Sequence, residues 1–146
     1  MGIAFRTSRP SGLSVAVWDG EVTAAQRNAH ISAIAADPEW GAGALLLTDL
    51  TSVAEASRPT PAEVLEAASS FVEHVAAQVR NAKWAMVAGE TFAHAQRFSA
   101  YVEEAVQRLI VFNELDTACT WLGVDVAEVR SVVADLRLEL RASVAR

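Results

Sequence analysis

The chain has 146 residues, 52% of them apolar and 21% charged, with a formal net charge of −6 and a single cysteine, Cys119. This is the composition of one folded domain with its own core, not of a disordered chain. The acidic balance argues against a nucleic-acid or anionic-membrane surface, and one cysteine excludes an internal disulfide or a multi-cysteine metal site.

No stretch reaches the roughly 20 apolar residues of a membrane span. The first ten residues contain no apolar run of signal-peptide type, and Arg6 breaks the myristoylation pattern after Gly2. A cytoplasmic protein is expected.

Ile3–Thr7 and Leu13–Trp18 read as two short strands around the turn Arg9-Pro10-Ser11-Gly12, hence a hairpin that ends at Asp19-Gly20. Thr23-Ala24-Ala25-Gln26 is a capping box that opens a helix, with Ala29, Ala33, Ile34 and Ala36 placed inward and a stop before Pro38. The breaker cluster Asp37–Gly43 precedes Ala44-Leu45-Leu46-Leu47, an apolar run without alternation that closes in Thr48, Asp49, Thr51 and Ser52. Such a run predicts an interior strand of a largely parallel sheet, beyond whose carboxyl end ligands or partners gather.

Ala54–Pro59 has no periodic pattern. Thr60-Pro61-Ala62-Glu63 combines an N-cap, a proline at the first helical position and a capping-box glutamate. Val64, Ala68, Phe71, Val72, Val75 and Val79 then recur at helical spacing, with Asn81 as a stop. Trp84–Gly89 predicts a second interior strand. A helix from about Thr91, capped by Thr91 itself, has Phe92, Ala95, Phe98, Val102 and Val106 as its inner face. Leu109–Phe112 predicts a third buried strand, and Asn113 caps a helix that turns Leu115, Ala118, Cys119 and Leu122 inward before Gly123. Asp125-Val126-Ala127-Glu128 opens a last helix with Val126, Val129, Val133, Leu136 and Leu140 as its stripe, while Arg130, Arg137 and Arg141 face elsewhere.

The predicted fold is α/β: a mixed, mostly parallel sheet of about five strands with helices packed on it and an extra C-terminal helix. The organisation is one domain over residues 1–124 and an amphipathic helix over 125–146. The C-terminal stripe can pack on the chain's own sheet or pair with a second copy in a homodimer; because the sheet is expected to have helices for its faces already, the homodimer is the preferred assignment.

The leading hairpin, Asp19-Gly20-Glu21-Val22-Thr23 opening the first helix, and Ala36-Asp37-Pro38-Glu39-Trp40 before a strand ending in Asp resemble SpoIIAA-like proteins. These are small bacterial relatives of the STAS domain of anti-sigma factor antagonists. Ala85–Gly89 with Ala95–Phe98, and Val111–Leu122, are similar to that group, over roughly residues 3–123. The resemblance implies a regulatory, protein-interacting module whose partner kinase phosphorylates a serine in an Asp-Ser-Ser-Gly stretch. The corresponding loop here holds Ser57 and Thr60 but neither that Asp nor that Gly, so no phosphorylation switch is expected.

His30, His74 and His94 show no metal spacing, and no glycine-rich phosphate loop is present, so neither metal nor cofactor is expected. A Ser52–His94–Asp49 triad can be drawn, but no nucleophile elbow supports it. The candidate binding surface is the set of strand-end loops: Asp49, Thr51, Ser52, Ser57, Arg58, Glu90, Thr91, His94 and Arg97. The leading expectation is a non-catalytic interaction module with an unidentified protein partner. A pocket protein for a small apolar or lipid ligand stands second, and an enzyme third. A cavity lined by Trp40, Trp84, Phe92 and Phe98 would favour the pocket.

Overall fold

The computed structural model describes residues 2–8 and 11–144. Five strands form one mixed sheet: β1 (Gly2–Ser8), β2 (Leu13–Gly20), β3 (Leu45–Val53), β4 (Lys83–Val87) and β5 (Leu109–Phe112), in that spatial order. β1 is antiparallel to β2, in register from Gly2 opposite Asp19 to Ser8 opposite Leu13, and every other neighbouring pair is parallel. Arg9 and Pro10 of the expected turn lie outside the described residues.

The helices are α1 (Ala24–Ala36), α2 (Pro61–His74), α3 (Ala76–Val79), α4 (Phe92–Val102), α5 (Leu115–Leu122) and α6 (Val126–Val144). Both capping boxes form. Thr23 Oγ1 accepts from the Gln26 amide, Thr60 Oγ1 accepts from the Glu63 amide, and both N3 side chains reach back to the cap. The stripe from Val64 to Val79 is buried except Val72, which is 43% exposed, and its helix breaks at Val75 into α2 and α3.

The strand order explains how the helices are distributed. From β2 to β5 the parallel strands advance in one direction across the sheet. Parallel crossovers share one hand, so helices from a sheet that never reverses all land on the same face. Accordingly α1, α2 and α4 cover one side, around Ala16, Leu46, Trp84 and Met86. Without further elements the other side, with Val15, Val17, Leu47, Ala85 and Val87, would be bare.

That second side is covered by α5 and α6, through Ala118, Cys119, Leu122, Val129, Val133 and Leu136. The α6 stripe assigned above to a dimer is therefore spent on the chain's own sheet. Two of its arginines, Arg137 and Arg141, reach strand residues, while Arg130 is exposed and pairs with Asp116 of α5. Arg137 donates to Asp49 (3.2 Å), Thr51 (3.0 Å) and Ser52 (3.0 Å), Arg141 lies 3.3 Å from Asp19, and Arg6 pairs with Glu139. Burial raises the Asp19 pKa, but hydrogen bonds from Arg141 and Ser52 outweigh it and hold the carboxyl below its usual value.

Three further expectations are corrected. β5 is a sheet edge with Ile110 41% exposed, because no strand follows it on that side. Glu114, not Asn113, occupies the N-cap of α5, and without a side-chain cap bond. In α1 the buried residues are Arg27, Ile31 and Ile34, whereas Ala29, Ala33 and Ala36 face solvent. Cys119 is buried among apolar side chains, and desolvation first, then Asp116, pushes its thiol up to about 11, so it is a poor nucleophile.

Candidate functional site

Alternation along the strands directs Trp18, Thr48, Leu50, Trp84 and Met86 toward α1, α2 and α4. Between that face and those helices lies a cavity of about 120 Å³. Its wall from α1 is Arg27, His30, Ile31 and Ile34; from α2, Glu63, Val64, Ala67 and Phe71; from α4 and the residue before it, Thr91, His94, Ala95 and Phe98. Trp40 closes the end nearest the start of β2. It is held there by the next residue, where the Gly41 amide donates to Ser14 Oγ (3.2 Å). Gly41 has φ 78°, and a Cβ there would lie 2.7 Å from Val79, so only glycine fits this turn.

The rings are ordered by edge-to-face contacts, apart from the Phe71–Trp84 pair, which is tilted by 35°. Phe71 and Trp84 stand 5.0 Å apart with Phe98 within 5.9 Å of both, and the Trp84 indole donates to Thr48 Oγ1 at 3.0 Å. On the opposite wall His30 lies among Phe5 (5.6 Å), Trp18 (6.1 Å) and Trp40 (6.3 Å).

Polar groups gather at the strand-end side. Arg27 donates to the Val22 carbonyl (3.4 Å) and to Glu63 Oε2 (2.7 Å), so the cap glutamate of α2 also neutralises an inward cation from α1. Hydrogen bonds from Thr60, with Arg27 as a lesser cause, hold Glu63 below its usual pKa. Ser57 Oγ accepts from the Val22 amide at 2.9 Å. Arg58 pairs with Glu90, tying the loop before α2 to the one before α4.

Thr91 departs from its expected role. Thr23 and Thr60 have extended backbones, with ψ 163° and 161°, which aim their hydroxyls at the following turn. Thr91 has φ −88° and ψ 10° and makes no cap bond. Its hydroxyl is buried without a partner, as are Trp18 Nε1, Trp40 Nε1, Arg58 Nε and His94 Nδ1 among the described residues. Four of these five groups belong to residues lining the cavity. Each such orphan costs about 1–3 kcal/mol.

The strand-end residues thus divide between the two faces. Ser57, Thr91 and His94 line the cavity, while Asp49, Thr51 and Ser52 are engaged by Arg137 on the α6 side. Arg58 and Glu90 form the pair between loops, and Arg97 is exposed on α4. A Ser52–His94–Asp49 triad does not assemble, because His94 lies across the sheet from the other two. Of the four aromatics named for a pocket, Trp40, Trp84 and Phe98 line it. Phe92 does not, being packed on the neighbouring core. Trp18, Arg27, His30, Glu63 and Phe71 join them. Among the described residues no group of three or more His, Cys, Asp or Glu is placed to hold a metal, and no helix is long and apolar enough to cross a membrane.

Desolvation lowers the His30 pKa from 6.5 to about 4, so its ring is neutral at pH 7. Between those values the unfolded chain binds a proton that the folded chain refuses. The neutral ring's stabilising share is therefore complete above about pH 6.5 and lost as the pH falls toward 4. From pH 7 to pH 5 this amounts to roughly 2 kcal/mol. Urea titrations at the two pH values should show that difference in the wild type and little of it in His30→Phe. Equal losses in both proteins would assign the acid sensitivity elsewhere.

Comparison with protein-family models, with characterised proteins and with solved structures finds no match.

Proposed function

We propose that this chain is a non-catalytic binding module that takes a small, mainly apolar molecule into the cavity beneath α1, α2 and α4. The observation that carries the reading is a space of about 120 Å³ walled by Trp18, Trp40, Phe71, Trp84 and Phe98. Protein interiors seldom keep voids larger than a water molecule. An engineered apolar cavity of about 150 Å³ stays dry and takes up benzene, so one ring or a short chain is the fitting occupant and a whole lipid is too large.

The element order and the leading hairpin support kinship with SpoIIAA-like proteins, and with it a regulatory setting. Ser57 and Pro59 bear on that point. They line the cavity and also belong to the strand-end loop, so an occupant would touch the surface that a protein partner would read.

Toluene titrated into the protein should raise the melting temperature by several degrees and change tryptophan fluorescence. Ala67→Leu, which fills the cavity from α2, should fold with similar stability and lose at least tenfold in toluene affinity. An equal response in the variant, or none in the wild type, would contradict the reading.

A further inference from the structure

Exposure of the lining residues shows where a molecule would enter the cavity. Near the strand starts the wall is closed, with Ile34, Trp40, Phe71 and Trp84 all 5% exposed or less. At the strand ends it is thin. Leu50, Val53, Ser57, Pro59 and Glu63 line the cavity there, and all fall in residues 50–63, a run in which no residue is buried.

Within that run the two ends are fixed. The Ala54 amide donates to the Gly20 carbonyl at 2.8 Å, beside the last pairing of β3, and Thr60 is locked into the cap of α2. Between them Glu55–Ser57 is a single 3₁₀ turn that bonds back on itself, followed by Arg58 and Pro59. This stretch buries no side chain in the core. It is held to its surroundings by polar ties: the Val22 amide donates to Ser57 Oγ (2.9 Å), and Arg58 pairs with Glu90. Segments with few buried apolar contacts are the ones that open at low free energy.

We infer that Glu55–Pro59 is a lid over the cavity and that the Arg58–Glu90 pair is its latch, given the reading above that the cavity takes up an apolar molecule. Opening turns the stretch about Ala54 and Thr60 and carries Ser57 and Pro59 away from the cavity. It separates Ser57 from Val22 and Arg58 from Glu90, and leaves the Arg27–Glu63 pair in place on the rim. Glu90 is 86% exposed, so the latch is weak and open to screening by salt. A latch that holds alike over the empty and the occupied cavity slows entry and release together and leaves affinity unchanged.

The test compares toluene exchange in the wild type, Glu90→Gln and Glu90→Lys, with rates from NMR line shapes of the toluene methyl signal and affinities from tryptophan fluorescence. Glu90→Gln should raise the association and release rates together by about two- to fivefold, the range of an exposed ion pair, with affinity constant within about twofold. Glu90→Lys, which repels Arg58, should be faster still. Raising salt from about 0.05 to 0.5 M should speed exchange in the wild type more than in Glu90→Gln. Equal rates in all three proteins, or a wild type indifferent to salt, would leave the cavity reading standing and overturn the lid. A rise in release alone, with affinity falling in step, would also overturn it, because the pair would then act on the bound state. No toluene binding in the wild type would remove both readings. The wild-type salt series decides the matter even where a variant fails to fold.

Discussion

Replacing Asp49 with alanine should cost about 3 kcal/mol of stability while leaving affinity for a cavity ligand unchanged. Asp49 is 3% exposed at the end of β3 and accepts from the Thr51 amide (2.8 Å), the Thr51 hydroxyl (2.6 Å) and Arg137 (3.2 Å). Its loss strands an amide and leaves the Arg137 guanidinium facing the sheet without its carboxylate. Breaking a buried pair from one side costs about 3–5 kcal/mol, and the 27% exposure of Arg137 puts this case at the lower end. Asp49→Asn keeps an acceptor for Thr51 and should lose about half as much. Because α6 and the cavity lie on opposite faces, toluene binding should persist in both variants. A loss under about 1 kcal/mol in urea unfolding would mean that Arg137 does not anchor α6.

Trp84→Ala should be costlier, about 4 kcal/mol, the usual range for removing a buried tryptophan. Trp84 is 5% exposed on β4, packs tilted against Phe71 and edge to face with Phe98, and donates to the Thr48 hydroxyl. The substitution leaves an indole-shaped hole continuous with the existing cavity. Indole added at about a hundredfold excess over its dissociation constant should restore about 2–3 kcal/mol. It should therefore raise the melting temperature of the variant well above its effect on the wild type. Equal effects on both would show that the hole collapses.

Local signals in the chain were sufficient for the elements. Thr23 with Gln26 and Thr60 with Glu63 form the caps that their spacing requires, and the unbroken apolar runs became the parallel strands β3 and β4. Less legible was which face each helix covers. The α6 stripe is plain in Val129, Val133, Leu136 and Leu140, but a stripe does not say what it packs on. That followed only from a strand order that never reverses and so leaves one face bare.

The cavity was legible in part, for two physical reasons. An alanine-rich α1 has little apolar contrast, so its spacing does not reveal that Arg27 shares the inward stripe of Ile31 and Ile34 or that His30 lines the cavity. The aromatics come from distant segments, and only sheet register and packing bring Trp18, Trp40 and Trp84 into one wall. Thr91 sits where a cap belongs, and only its backbone angles show that its hydroxyl makes no cap bond.

The most direct test of the binding claim is to locate a bound ring by intermolecular NOEs from toluene to the protein's methyl groups. Cross-peaks to Ile31, Ile34, Val64 and Met86 are expected, since these line the cavity. Cross-peaks confined to exposed apolar residues such as Leu65 and Leu138, with none to those four, would contradict it.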